Sequence, residues 1–149
     1  MTTDLLLPDE AATMRLGAGL AGLLQVGEAL CLSGPLGAGK STLARALVRA
    51  LTTPDEEVPS PTFTLVQVYD GARLRLAHFD LYRLTSADEV FEIGLDEALD
   101  EGAVVIEWPE RLEDHLPPDR LDIEITLAES GRRAKLTAHG AWKGRPIEF

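Results

Sequence analysis

The chain has 149 residues and carries 14 Lys plus Arg against 25 Asp plus Glu, a formal net charge of −11. Its 45% hydrophobic and 26% charged composition is that of a folded protein of single-domain size, so residues 1–149 are read as one domain with a tail of unassigned order over 139–149. So acidic a surface excludes unaided tight binding of nucleic acid, which needs clustered Lys and Arg, and the lone Cys31 excludes an intramolecular disulfide. With no signal-peptide pattern and no apolar run near the ~20 residues of a membrane helix, the expected location is the cytoplasm, with no membrane span.

Leu5-Leu6-Leu7 reads as a short strand, and the spacing of Ala12, Leu16, Leu20, Leu23 and Leu24 predicts an amphipathic helix after Asp9-Glu10. Ala29 to Ser33 is a compact apolar strand that runs into Gly34-Pro35-Leu36-Gly37-Ala38-Gly39-Lys40-Ser41-Thr42. A helix is expected from Ser41 to about Leu51, with Leu43, Leu47, Val48 and Leu51 on one face. Residues 52–62, rich in Thr, Pro and acids, read as a surface loop.

Phe63 to Tyr69 and Leu74 to Phe79 are predicted strands of an antiparallel hairpin turned by Asp70-Gly71. Ser86-Ala87-Asp88-Glu89 reads as a capping box opening a helix that Gly94 breaks, with a second helical piece over Leu95 to Leu99. Ala103 to Ile106 is a fully apolar strand suited to the middle of a parallel sheet, ending in Glu107-Trp108-Pro109. Leu121 to Leu127 alternates apolar and polar residues, and Ser130-Gly131-Arg132 turns it into a last strand through Leu136. The fold class expected is α/β, with apolar strands suited to a parallel core and an antiparallel hairpin beside them.

Gly34-x4-Gly39-Lys40-Ser41 fits the phosphate-loop pattern in full. Glycines let successive backbone N–H groups wrap phosphates, a lysine supplies counter-charge, a hydroxyl ligates Mg²⁺, and the following helix points its positive end at the anion. A Mg²⁺ ion needs carboxylate help from the end of a neighbouring strand, and both Glu107 and Asp80 end strands. Glu107 is favoured as the metal or water-orienting group, with Asp80 close behind it.

Thr62 lies 21 residues after Ser41, where a turn residue and a threonine that senses the γ-phosphate are both open readings. Trp108 fits either core packing or an aromatic wall beside a nucleotide. His78 reads as a core histidine rather than a ligand, and Cys31 as a small buried apolar residue. A chain without asparagine lacks the Asn-Lys-x-Asp element of guanine-specific switches, so ATP is the expected nucleotide. An autonomous small-molecule kinase and a non-hydrolysing nucleotide-dependent scaffold are the competing classes.

Taken together, Ser33 to Thr42, Ser60-Pro61-Thr62-Phe63-Thr64-Leu65-Val66, His78-Phe79-Asp80-Leu81-Tyr82-Arg83-Leu84, Gly94-Leu95-Asp96 and Val105-Ile106-Glu107-Trp108-Pro109-Glu110 resemble the bacterial TsaE (YjeE) ATPases over Pro8 to about Ala138. The resemblance implies an α/β P-loop NTPase fold with a central mixed sheet, mostly parallel at its core with antiparallel hairpins and flanked by helices. It also implies a cytoplasmic ATPase needed to make N6-threonylcarbamoyladenosine at position 37 of tRNAs, working with TsaD and TsaB proteins that hold the tRNA. It implies ATP and Mg²⁺ as ligands: Leu36, Gly37, Ala38, Gly39, Lys40, Ser41 and Thr42 as the phosphate cradle, Ser41 and Glu107 on the metal, and Lys40, Asp80 and Glu107 as the catalytic set. Thr62 matches a switch-loop threonine and Trp108 a residue needed for activity, while Asp9 and Gly131 align loosely with positions lining the nucleotide. The segment after His139 matches no family feature.

Overall fold

A computed structural model describes residues 2–147. The strands are β1 (Thr2–Leu7), β2 (Ala29–Ser33), β3 (Val66–Asp70), β4 (Arg75–Asp80), β5 (Ala103–Glu107), β6 (Arg120–Leu127) and β7 (Arg132–Ala138). The helices are α1 (Glu10–Leu23), α2 (Lys40–Leu51), α3 (Glu89–Glu92) and α4 (Leu95–Glu101). All seven strands form one mixed sheet in the order β1-β7-β6-β2-β5-β4-β3. β2 runs parallel to β5 and to β6, and β4 runs parallel to β5; β3 with β4, β6 with β7 and β1 with β7 are antiparallel. The mixed α/β sheet expected from the sequence is the architecture found.

Burial explains the strand patterns. β2 and β5 lie in the middle of the sheet with apolar residues on both faces, so neither shows alternation. α1 and α2 cover one face through Leu16, Leu20, Leu43 and Leu47, packed on Leu30, Leu32, Val105 and Ile123. The opposite face is covered only over β2, β4 and β5, by Leu81, Leu84, Val90, Leu95 and Leu112. β6 therefore buries Leu121, Ile123 and Ile125 and turns Asp122, Glu124 and Thr126 outward, as its alternation predicts. Cys31 is buried as expected, and burial pushes its thiol well above the usual range, with Asp122 adding to the effect.

Three local expectations are corrected. Phe63 is not in a strand: residues 61–64 turn, Leu65 adopts φ +69, and β3 begins only at Val66. The β3–β4 hairpin is not closed by a two-residue Asp-Gly turn, because Asp70 pairs with Arg75 and four residues form the loop. Gly71 is there for close approach instead; a Cβ would sit 2.7 Å from both Leu51 O and Leu74 O. Ser86 caps no helix through its side chain, since α3 starts at Glu89 after Asp88, and the Glu89 carboxylate accepts from Thr85 Oγ1.

The tail over 139–147 is docked rather than unassigned. Trp142 is fully buried against the sheet, and the Arg145 guanidinium stacks 4.3 Å from its ring while donating to both Glu28 carboxylate oxygens at 2.8 and 2.6 Å. Those bonds to Glu28 hold the Arg145 side chain protonated above its ordinary range. Arg145→Ala leaves the buried Glu28 carboxylate without its cation. Because Arg145 is itself partly exposed, the expected loss is about 2 kcal/mol, below the 3–5 of a fully buried pair. Urea denaturation of the variant against the unsubstituted chain measures it, and a loss under half a kcal/mol would contradict this account.

Candidate functional site

The parallel register puts the site where strands end. Leu32 of β2 pairs with Glu107 of β5, and Glu107 pairs with Asp80 of β4, so two carboxylates stand side by side next to the strand that feeds the glycine loop. Crevices at the carboxyl ends of parallel strands are the ligand sites of open α/β sheets. Period two also puts His78 and Asp80 on the same side of β4, the side that faces α2.

Between β2 and α2 the backbone takes positive φ at Gly34 (+129°), Gly37 (+80°) and Gly39 (+116°), which curls residues 34–39 around the start of α2. Lys40 opens the helix and turns back into the loop. Its ammonium donates to Gly34 O at 2.7 Å and lies 3.7 Å from the centre of the Trp108 ring. Burial lowers the Lys40 pKa, a shift that Glu107, Glu110 and Asp80 partly oppose. Poorly hydrated and beside two carboxylates, this cation is placed for an anionic ligand.

A cleft of about 420 Å³ opens over this edge. Of the residues expected in a site, it is lined by Leu36, Gly37, Gly39, Lys40, Ser41, Thr42, Thr62, Asp80, Glu107 and Trp108. Three expected residues lie outside it. Ala38 is buried beneath the loop, while Asp9 and Gly131 line a second hollow of about 290 Å³ that shares Gly37, Gly39 and Thr42 with the first. Asp9 also caps α1, accepting from Ala12 N at 2.8 Å.

The acids are held by different partners. Asp80 Oδ2 accepts from Thr62 Oγ1 at 3.0 Å and Asp80 Oδ1 from the Tyr82 backbone N–H at 3.1 Å, with Ser60 Oγ 2.7 Å from Thr62 Oγ1. Glu107 Oε2 accepts from His78 Nε2 at 2.6 Å, and both side chains are buried. The core reading of His78 is thus correct about its burial and incomplete about its role, because it touches a site carboxylate. Trp108 takes φ +62°, a left-handed conformation uncommon outside glycine, which swings its ring out of line with β5 and over Lys40. Tyr82 packs on it with ring centres 5.0 Å apart.

Ser60, Tyr82 and Arg132 are site residues that the sequence did not single out. Ser60 and Tyr82 sit in the Ser-Pro-Thr and His-Phe-Asp-Leu-Tyr-Arg runs, which marked their neighbours. Arg132 donates to Ala38 O at 3.1 Å and Gly37 O at 3.3 Å, bracing the glycine loop from the start of β7. No local signal couples residues about 95 apart in sequence.

The donor set suits a polyphosphate with a hard cation. The curled loop offers backbone N–H groups with no Cβ at Gly37 and Gly39, Lys40 offers charge, and Ser41 with Glu107 or Asp80 offers oxygen ligands. Among the described residues no group of three or more His, Cys, Asp or Glu could hold a metal ion without help. A Mg²⁺ ion would take one or two of these protein ligands together with waters and phosphate oxygens.

Sheet, glycine loop and strand-end carboxylates define the class: a mixed α/β protein with a cleft at the carboxyl edge of its parallel strands. The family model described as threonylcarbamoyl adenosine biosynthesis protein TsaE matches residues 7–135, and the chain belongs to that family. It is 41% identical over 122 residues to the tRNA threonylcarbamoyladenosine biosynthesis protein TsaE of Treponema pallidum, covering 81% of this chain and 89% of that one. The protein of the same name from Aquifex aeolicus is 37% identical over 131 residues, covering 87% and 91%. The crystal structure of YdiB from Bacillus subtilis superposes with a TM-score of 0.75 at 30% identity, covering 94% of this chain and 87% of that one. Among the described residues no helix is long and apolar enough to cross a membrane.

Proposed function

We propose that this chain is the Mg²⁺-dependent ATPase of the machinery that makes tRNA N6-threonylcarbamoyladenosine, acting in the cytoplasm with TsaD- and TsaB-type proteins. The observation that carries the reading is the convergence of Lys40, Ser41, Asp80 and Glu107 on one cleft beside the glycine loop. Membership of the TsaE family supplies the pathway.

In this mechanism the backbone N–H groups of residues 36–42 grip the phosphates, and Lys40 exchanges Gly34 O for phosphate oxygens. Ser41 and Glu107 would hold a Mg²⁺ ion, which would supply counter-charge to the phosphates. Asp80 orients the group that attacks or the loop that closes, since Thr62 already reaches it. Moving Thr62 from Asp80 toward the γ-phosphate would carry Phe63 with it, and Phe63 is 80% exposed and stacked on Arg83 at 4.4 Å. An exposed aromatic tied to the nucleotide-sensing residue is a suitable contact for a partner protein. The acidic chain supplies the ATP site while the partners hold tRNA.

The test is reconstitution with TsaD- and TsaB-type partners, ATP, threonine, bicarbonate and tRNA. Glu107→Ala is expected to cut both ATP turnover and tRNA modification at least ~10²-fold, the scale for losing one preorganised electrostatic group, here acting on the phosphate through the metal it would hold. Phe63→Ser is expected to leave nucleotide binding intact and weaken association with the partners. Modification retained by Glu107→Ala would refute the assigned chemistry, and partner binding equal with ATP, ADP or no nucleotide would refute the coupling.

A further inference from the structure

We infer that His78 is a positioning residue for the metal-bearing carboxylate: it pins one oxygen of Glu107 so that the other is presented to the cation. The inference rests on the nucleotide and Mg²⁺ reading above and adds a residue to it.

His78 and Asp80 project from β4 toward α2, while Glu107 projects from β5 in direct register with Asp80. His78 is therefore one pleat back from the cleft, diagonal to Glu107. Its side chain is 3% exposed and that of Glu107 5%, so no bulk water competes for the 2.6 Å bond between His78 Nε2 and Glu107 Oε2. Among the described residues that is the only hydrogen bond made to the Glu107 carboxylate, leaving Oε1 without a protein donor. The other imidazole nitrogen, Nδ1, is buried and has no hydrogen-bond partner among the described residues. A buried polar atom left unpaired is costly, so a histidine that served only to fill space would be outdone by leucine here. The single bond it does make is aimed at a site carboxylate.

The physical effect is on Glu107's freedom. A glutamate has three side-chain torsions, and next to Asp80 it has reason to swing away from a like charge. His78 removes that escape by holding Oε2 from below. Side chains that hydrogen-bond a metal ligand from behind typically account for 10–100-fold in metal affinity. Asp80 is fixed separately by Thr62 and the Tyr82 N–H, so His78 acts on one carboxylate only.

The experiment measures ATP binding by the full chain in EDTA and across a Mg²⁺ titration, for the unsubstituted protein, His78→Met and His78→Gln. Met fills similar volume with no donor, and Gln can place an amide N–H near the Nε2 position. We expect His78→Met to need ~10–100-fold more Mg²⁺ for half-maximal enhancement of binding, with affinity in EDTA unchanged, and His78→Gln to recover most of the loss. If His78→Met does not fold, His78→Asn, whose amide stops short of Glu107, takes its place. A Mg²⁺ midpoint that does not move overturns the inference, and so does an equal loss in EDTA and in Mg²⁺, which marks a structural role. Failure of the unsubstituted chain to bind ATP in a Mg²⁺-dependent way would overturn the nucleotide reading itself, and this inference with it.

Discussion

Lys40→Ala is expected to lower ATP turnover by about a hundred-fold or more, the cost of removing one preorganised charged donor from a transferring phosphate. The same substitution is expected to be mild for the fold. The ammonium is buried, makes one hydrogen bond to Gly34 O and has its pKa lowered by desolvation, so its charge opposes folding. The sign follows from proton counting. A lysine with a folded pKa below its unfolded value destabilises fully at pH below the folded pKa, and the penalty is relieved as pH rises through the unfolded one. Relative to Lys40→Met, the unsubstituted chain should therefore gain stability in the alkaline range. Turnover and thermal unfolding measured on the same samples separate the two effects. Activity within threefold of the unsubstituted chain would contradict the role given to Lys40.

Gly34→Ala is expected to be among the most damaging single substitutions for the fold, and Gly37→Ala one of the mildest in the same loop. Both glycines have positive φ, +129° and +80°. That alone costs an L-residue about 1–2 kcal/mol. At Gly34 a Cβ would also lie far inside contact distance of Ile125 O, a backbone atom held in β6. At Gly37 a Cβ meets nothing within 4 Å. A clash with immovable backbone adds to the conformational term, so Gly34→Ala should cost more than ~4 kcal/mol and leave little folded protein. Gly37→Ala should cost ~1 kcal/mol in stability and reveal itself in phosphate binding instead. Circular dichroism through a denaturant titration of both variants decides it; equal losses would show that the loop, not the β6 contact, sets the cost.

The all-apolar run Ala103 to Ile106 and the strand, glycine loop and helix from Ala29 to Leu51 are local patterns, and each forms the element its pattern dictates. Glu107 and Asp80 were legible because each ends a strand, and parallel strands align their ends. Phe63 misled because an aromatic next to Thr and Val has high strand propensity, yet Pro61 and the left-handed Leu65 bend the chain before β3 can begin. Asp70-Gly71 misled for a different reason: the glycine answers to the end of α2, a contact from another part of the chain. The Arg145–Glu28 pair and the brace from Arg132 span 117 and about 95 residues, and such partners exist only once the sheet has assembled.

The bonds that hold the mouth of the cleft are of a different order from those that hold its floor. Asp80 and Glu107 end neighbouring interior strands of a seven-stranded sheet, whereas the Thr62 side chain is held by one bond to Asp80 and one to Ser60. Two such bonds near solvent are worth about 1 kcal/mol each. A ligand or a partner that prefers the moved loop by only a few kcal/mol could therefore reverse its position, while the carboxylates beneath it stay where the strands put them. The charged floor is thus set by the sheet and its mouth by two hydrogen bonds, so a small difference in binding energy at the surface would be enough to change what the floor is exposed to.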